Sequence, residues 1–390
     1  MSNNNYSTEL IDLKDVIITK VENTTDELHV YIELPRKDHV CPECNNSTNC
    51  VHDYRQQIIK DIPFAKNTYL HLRKRRYRCP HCGKRFFERN TFLPRYYRMT
   101  SRLIASIVNA FRKLTSATDI ASQFNVSITT AIRYFDCVNY SCLELPEVLS
   151  IDEFKGNAGK EKYQSIIADP KNKKVIDILP DRYEYSLIKY FKDFSNRKNV
   201  KYFVTDMNPH FKNVAKICFP DALIVADKFH VIRQAVWAME RVRKAEQDKL
   251  SAKFRKYFKR SKSLLNKSIK KLSDEEKIRL AVMLEIAPRL AEAYRLKNEF
   301  IDIIHSDSSD IGRKRLIKWL DSLDVSRLPE FNDCAKAYCN WFDEILNSID
   351  VPWTNGFTEG CNNKTKVLKR NCFGVRNFRR FRSRILYCNS

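Results

Sequence analysis

The sequence predicts a multidomain α/β protein: a mixed sheet with flanking helices, interrupted by an all-helical insertion and preceded by a small β module and a pair of short helices. Three observations carry this expectation. Short strand-like runs cluster between 148 and 227, strand signals vanish from 228 to 350, and two Cys-x2-Cys pairs lie among alternating residues before 95. A chain of 390 residues suffices for about two to four domains of ordinary size.

Composition narrows the class. Hydrophobic residues make up 43%, which excludes global disorder. The 70 Lys and Arg outnumber the 47 Asp and Glu to give a net charge of +23, and such an excess suits a polyanionic partner, above all nucleic acid. No run approaches the ~20 apolar residues of a membrane span. MSNNNYSTEL lacks the basic start and apolar core of a secretion signal, so a cytoplasmic protein is expected. Of the 13 cysteines only four fall in a paired pattern, which favours metal binding in a reducing compartment over a disulfide framework.

Along the chain, residues 1–8 are polar and expected to be loose. Leu28, Val30, Ile32 and Leu34 alternate with polar residues as a strand does, and Tyr69 to Tyr77 is a second extended run. Leu103, Ile104, Ile107, Val108, Phe111 and Leu114 fall at helical spacing. After Pro146 come the strand-like VLSIDEF, YQSIIAD and VIDILP, a helical stretch from Ser186 to Phe194, then KYFVTD and ALIVAD, which together suggest one mixed sheet. From Lys228 onward charged helical segments take over, broken at the capping box Ser273–Glu276, at Pro288 and at Pro329. Residues 351–369 are expected to be a loop entering a helix, and 371–390 a basic tail. The expected division is therefore 1–95, 96–146, 147–227, 228–350 and 351–390.

Cys41, Cys44, Cys79 and Cys82 form two CPxC knuckles, which would offer four thiolates to a structural Zn²⁺ with no open position for water. Beside them Arg73, Arg75, Arg76, Arg78, Lys84 and Arg85 are expected to meet DNA phosphates. DIASQFNVSITTAIRYF (119–135) has helix-turn-helix spacing. Ala121 is small where helices approach, Asn125 tolerates the left-handed turn, Val126 plugs it and Ser127 caps the next helix. Ser127, Thr129, Thr130 and Arg133 would then face the major groove.

Among the carboxylates, Asp152 sits within an apolar strand and Asp206 ends another. An ionised group there is costly unless it is paired or binds a metal, and a hard-oxygen pair suits Mg²⁺. Glu359, in TNGFTEGCNNKTKVLKR, is the candidate third ligand. Gly356 and Gly360 would allow close approach, and Asn363, Lys366 and Arg370 lie on its helix face, with Lys369 nearby, to meet DNA. Glu153 should point to the opposite face of its strand and is left out of the site.

CPEC…CPHCGKRF, the helix pair, SIDEF, VTDMNPHF, FPDALIVADKFHV and NGFTEGCNNKTKVLKRNCFGVRNF together resemble the ISL3 family of bacterial insertion-sequence transposases, over essentially the whole chain. The resemblance implies a DDE transposase with a ribonuclease-H-like catalytic domain, zinc-binding and helix-turn-helix domains before it, and 228–350 as the insertion between the second and third acidic residues. By that resemblance Asp152, Asp206 and Glu359 hold two Mg²⁺ (or Mn²⁺) ions, and Asp227 and His230 form an auxiliary Asp-x2-His pair that assists active-site structure or end recognition. The implied reaction is two-metal phosphoryl transfer. Hydrolysis frees the 3′ end of the element, and that end attacks target DNA with no covalent enzyme intermediate. The implied partners are double-stranded DNA (terminal inverted repeats and target) and at least a second copy of the chain, within the bacterial cytoplasm and at the nucleoid when bound. Two competing readings are a DNA-binding regulator that has lost the chemistry and a metal-dependent nuclease on RNA or branched DNA.

Overall fold

The computed structural model describes residue 13 and residues 15–260, 262–267 and 271–390, so the loose segment expected at 1–8 lies outside it. Two compact units are present. One runs to Tyr140 and takes in Arg370–Gly374, and the other comprises Ser141–Lys369 and Val375–Ser390.

The first unit is built on a sheet in the order β1 (Ile17–Asn23), β2 (Glu27–Glu33), β6 (Lys66–Arg78), β5 (Val51–Phe64), with β7 (Arg85–Phe87) on β6. The alternation seen in the sequence sets its core: Val30 and Ile32 pack with Ile18, Ile59, Leu70 and Leu72. β5 was not foreseen, because its stretch DYRQQ is polar on both faces and largely exposed. The small ladder of β3 (His39–Val40) and β4 (Ser47–Thr48) flanks the first knuckle.

Three helices follow, Ser101–Ala110, Ala117–Gln123 and Ile128–Phe135. Each start is capped: the side chains of Thr100, Ser116 and Ser127 accept from backbone N–H groups of the first turn, and Asp119 closes a capping box. Between the second and third, Asn125 adopts φ 49° and the Val126 amide bonds Ala121 O at 2.9 Å. Ala121, Ala131 and Phe135 are buried at the joint.

The second unit holds a five-stranded sheet in the order β10 (Lys174–Leu179), β9 (Gln164–Asp169), β8 (Val148–Phe154), β11 (Tyr202–Thr205), β12 (Leu223–Ala226). β8, β11 and β12 are parallel, β9 runs antiparallel to β8, and β10 runs antiparallel to β9 and so in the direction of β8. Leu149, Ile151, Ile167 and Phe203 pack with helices Glu184–Lys192 and Pro209–Cys218 on one face. Val148, Val204 and Val225 take the other, with Val351 and Trp353.

Residues 228–350 are helical where described, save short connections, and begin with the long helix Lys228–Asp248. They enclose their own core, in which Phe300 and Tyr338 stack at 4.1 Å. The capping box at Ser273 and the first-position Pro288 start helices as their residue types dictate. No helix among the described residues is long and apolar enough to cross a membrane.

The chain returns through helices Gly356–Asn371 and Phe378–Cys388. The last corrects the expected basic tail. Phe381, Ile385 and Cys388 make a buried stripe, Arg384 is buried with them, and Arg382 pairs with Asp177 on β10. The charges that suggested a tail alternate with an apolar face at helical spacing.

Candidate active site

Three parallel strands run side by side, and β11 and β12 end where β8 continues to Phe154. Ile151 of β8 registers with Thr205 of β11, and Thr205 registers with Ala226 of β12. The next residue of each is an aspartate: Asp152, Asp206 and Asp227. The Asp227 amide still bonds Thr205 O at 2.9 Å, so the alignment persists past the formal strand end. Neighbouring strands lie about 4.8 Å apart, which places three carboxyl-bearing positions in a row at the C-terminal edge, where open α/β sheets bind ligands.

The helix Gly356–Asn371 is laid against this edge by matched periodicities. Ser150 and Asp152 share one face of β8, two residues apart, and Thr358 and Asn362 lie about one turn apart on the helix. Ser150 Oγ and Thr358 Oγ1 are 2.7 Å apart, and Asn362 Nδ2 donates to Asp152 Oδ2 at 2.7 Å. The other Asp152 oxygen accepts the Glu153 amide at 2.7 Å. Buried Asn355 adds a second brace: its amide donates to Asp227 Oδ1 at 2.9 Å and its Nδ2 to Ile151 O at 3.3 Å.

Glu359 is thereby brought to His230, whose Nδ1 lies 3.7 Å from Glu359 Oε1 and 2.9 Å from Asp227 Oδ2. Asp227, His230 and Glu359 each offer a donor atom within 4.8 Å of the others. Asp227 also caps the helix Lys228–Asp248, accepting from the His230 amide.

The electrostatics of the two strand carboxylates are unusual. Burial pushes Asp152 up to about 6, and the neighbouring charge of Asp206 adds to the rise against hydrogen bonds from Glu153 N and Asn362. Burial likewise raises Asp206. Burial would raise Asp227 too, but hydrogen bonds from His230 and Asn355 outweigh it and hold its carboxyl low. His230 is raised because its bond to Asp227 overcomes burial. Neither Asp152 nor Asp206 has a Lys or Arg ion-pair partner among the described residues. Glu153 turns aside to Arg182, at 2.6 Å. Two shielded acidic groups with no fixed cation form a hard-oxygen pair that fits a divalent cation.

In the first unit the four knuckle sulfurs all lie within 4.8 Å of one another, with Cys41–Cys82 at 3.6 Å and Cys44–Cys79 at 3.5 Å. A zinc–thiolate tetrahedron has edges of about 3.8 Å, so the cluster matches it. The knuckles are built alike: Asn45 (φ 57°) and Gly83 (φ 74°) turn left-handed just after the second cysteine of each, and their amides bond Cys41 O and Cys79 O. Backbone N–H groups of Cys44 and Glu43 outweigh burial at Cys41 and bring its thiol down to about 7.

A family model described as a transposase, ISL3, matches residues 149–385, more than half of the chain. The chain belongs to the ISL3 transposase family. A second model, the zinc-finger of transposases IS204/IS1001/IS1096/IS1165, matches residues 37–82, the span of the cysteine cluster. The chain is 26% identical to the transposase for insertion sequence element IS1001 of Bordetella parapertussis, over 90% of this chain and 88% of that one. It is 22% identical to the transposase for insertion sequence element IS1557 of Mycobacterium tuberculosis, over 55% of this chain and 54% of that one.

Within this transposase the candidate DNA-contacting side chains divide by environment. Arg78, Arg85, Ser127, Thr129, Arg133, Asn363, Lys366 and Arg370 are exposed, and Thr130 and Lys369 half-buried. Arg73 lies over the Tyr54 ring, Arg76 faces Asp53 at 3.5 Å and Lys84 pairs with Glu43 at 2.8 Å. Arg75 departs from the expectation of a phosphate contact. It is buried, pairs with Glu88 and Glu33 and donates to Leu34 O. Gly360 departs too: a Cβ there would meet nothing within 4 Å, so no protein backbone crowds it. Asn355 and Asn362 were not foreseen; the latter's one visible signal is its spacing, three residues after Glu359 on the same helix.

Proposed function

We propose that this ISL3 transposase binds the terminal inverted repeats of its insertion sequence as duplex DNA and carries out metal-dependent cleavage and strand transfer, with Asp152, Asp206 and Glu359 as the catalytic carboxylates. The observation that carries the reading is the convergence of residues from three distant stretches: two unpaired aspartates on adjacent parallel strands, and a helix whose Asn362 bonds one of them while Glu359 reaches His230. The strand order, with three parallel strands flanked by an antiparallel pair, supports a ribonuclease-H-like catalytic domain. The left-handed Asn125 between two capped helices supports a helix-turn-helix, with Ser127, Thr129, Thr130 and Arg133 toward the major groove.

In this reading Asp152, Asp206 and Glu359 would hold two Mg²⁺ or Mn²⁺ ions, which when bound activate the attacking oxygen and stabilise the leaving one. The chain's own part is orientation. Asn362 and the Glu153 amide fix both Asp152 oxygens, and Asp227 holds the His230 ring, with its Nδ1 toward Glu359. Zn²⁺ on Cys41, Cys44, Cys79 and Cys82 is structural, since four thiolates leave no open position. Arg73, Arg76, Arg78, Lys84, Arg85, Asn363, Lys366, Lys369 and Arg370 supply phosphate contacts. Two element ends processed together call for a homodimer or larger assembly on DNA, in the bacterial cytoplasm.

The deciding experiment is cleavage of DNA carrying the element's ends, with Mg²⁺, by wild type and by Asp206→Ala. Loss of cleavage with DNA binding retained is expected. Cleavage persisting in the variant rejects the assignment, and binding without cleavage by wild type favours a DNA-binding regulator.

A further inference from the structure

The helix Lys228–Asp248 sinks Val231, Ala235, Ala238, Met239 and Val242 into the helical core. Its solvent side carries more than the charged residues such a helix normally presents. Phe229 is 58% exposed and Trp237 46%. Between them lies Arg233, its guanidinium carbon 5.5 Å from the Phe229 ring centre and 4.7 Å from that of Trp237. A spacing of four puts all three on one stripe. Arg233 has no carboxylate partner among the described residues, and its Nε is buried without a hydrogen bond.

The stripe begins at the active site. The Phe229 ring meets His230 edge-on at 5.6 Å, and His230 Nδ1 is 3.7 Å from Glu359. Trp237 lies eight residues further on, about 12 Å along the helix axis. A nucleobase resting on these rings would therefore lie within a few nucleotides of a phosphate at the carboxylates.

We infer that Phe229, Arg233 and Trp237 form a stacking site for an unpaired nucleobase of the DNA end, beside the scissile phosphate; this rests on the DNA-processing reading of the acidic site. Aromatic faces stack on any base, and a planar guanidinium both stacks and pairs with phosphate. An unpaired cation in the middle of the patch argues for a phosphate-bearing occupant over an apolar protein surface. A base within duplex DNA has both faces covered by its neighbours, so the occupant is an extruded or single-stranded one.

The test measures binding of the full chain, without divalent metal, to a blunt duplex and to the same duplex with a short oligothymidine overhang. The overhang is expected to tighten binding by on the order of tenfold. Trp237→Leu should lose that preference and Trp237→Phe should keep most of it. An overhang of abasic sugars should give wild type no preference, an arm that decides the matter even should Trp237→Leu fail to fold. Equal preference in Trp237→Leu and Trp237→Phe, or tight binding of the abasic overhang, overturns the stacking site alone. If wild type binds neither probe, the DNA-processing reading falls with it.

Discussion

The side-chain amide of Asn362 donates to Oδ2 of Asp152 at 2.7 Å across 210 residues of sequence, while its own Oδ1 is buried without a partner. One helix turn thus positions a strand carboxylate while Glu359, on the same turn, stands beside His230. Asn362→Leu keeps the approximate volume and removes the donor. It should weaken Mn²⁺ binding about tenfold, in the range seen when outer-shell partners of metal ligands are removed, with the thermal midpoint in EDTA changed by much less than a core truncation would change it. Calorimetric Mn²⁺ titration of the variant checks this, and an unchanged affinity would show Asn362 to be a packing residue only.

Asp152 carries a cost in the apo protein. Its carboxyl is raised from 3.8 to about 6, so the folded state binds a proton more tightly than the unfolded chain does, and apo stability falls as pH rises across that window. Asp152→Asn removes the charge, and its new NH2 can meet the free Asn362 Oδ1 after a flip of that amide. Melting in EDTA at neutral pH should rise by about 2–4 °C while metal-dependent cleavage is lost. A lower midpoint would contradict the burial argument.

The same shift sets a pH profile for the metal. A divalent cation competes with the proton on Asp152, so affinity should climb as pH rises to about 6 and level off above it. Mn²⁺ titrations at several pH values measure this directly. A profile flat down to pH 4 would mean that Asp152 is not a ligand.

Zinc should be stoichiometric, one ion per chain, and Cys79→Ser should lose it. The two left-handed turns at Asn45 and Gly83 orient sulfurs that otherwise crowd together, so removal of zinc by a chelator is expected to unfold the ribbon. Metal analysis together with amide hydrogen exchange over residues 37–82 checks both points.

Arg75 and Arg85 should separate stability from DNA affinity. Arg75→Ala strands the buried Glu88 carboxyl, which burial already pushes upward, and is expected to cost about 3 kcal/mol. Arg85→Ala, on an exposed side chain, should leave the melting midpoint in place and reduce duplex affinity and its salt dependence. Equal melting of the two variants would refute the distinction.

Much of this architecture was legible in the chain because single residues carry strong local constraints. VLSIDEF coincides with β8, Pro288 and Ser273 start helices, and the paired CPxC knuckles announce their cluster. What was hidden depends on partners far away in sequence. β5 is a strand because β6 lies beside it, since DYRQQ has no alternation of its own. The final helix looks like a charged tail until β10 supplies a surface for Phe381 and Ile385. Arg75 is indistinguishable from Arg73 and Arg76 until Glu33 and Glu88, distant in sequence, close on it. Asn362 stands beside Asn363 in the sequence, and only the face of the helix tells them apart: Asn362 is buried against Asp152 and Asn363 is exposed.

The helical insertion lies between the strand aspartates and the helix that completes their pocket, and this imposes an order on synthesis. A polypeptide interrupted between Lys228 and Asn355 already carries the cysteine knuckles, the capped helices and the strand carboxylates, yet lacks the clasp on Asp227 and the partner of Asp152. On the proposed reading, such a fragment keeps the elements assigned to DNA binding and lacks those that complete the cutting site. On that reading, translation that stops within the insertion yields competitors of the full-length protein rather than premature nucleases.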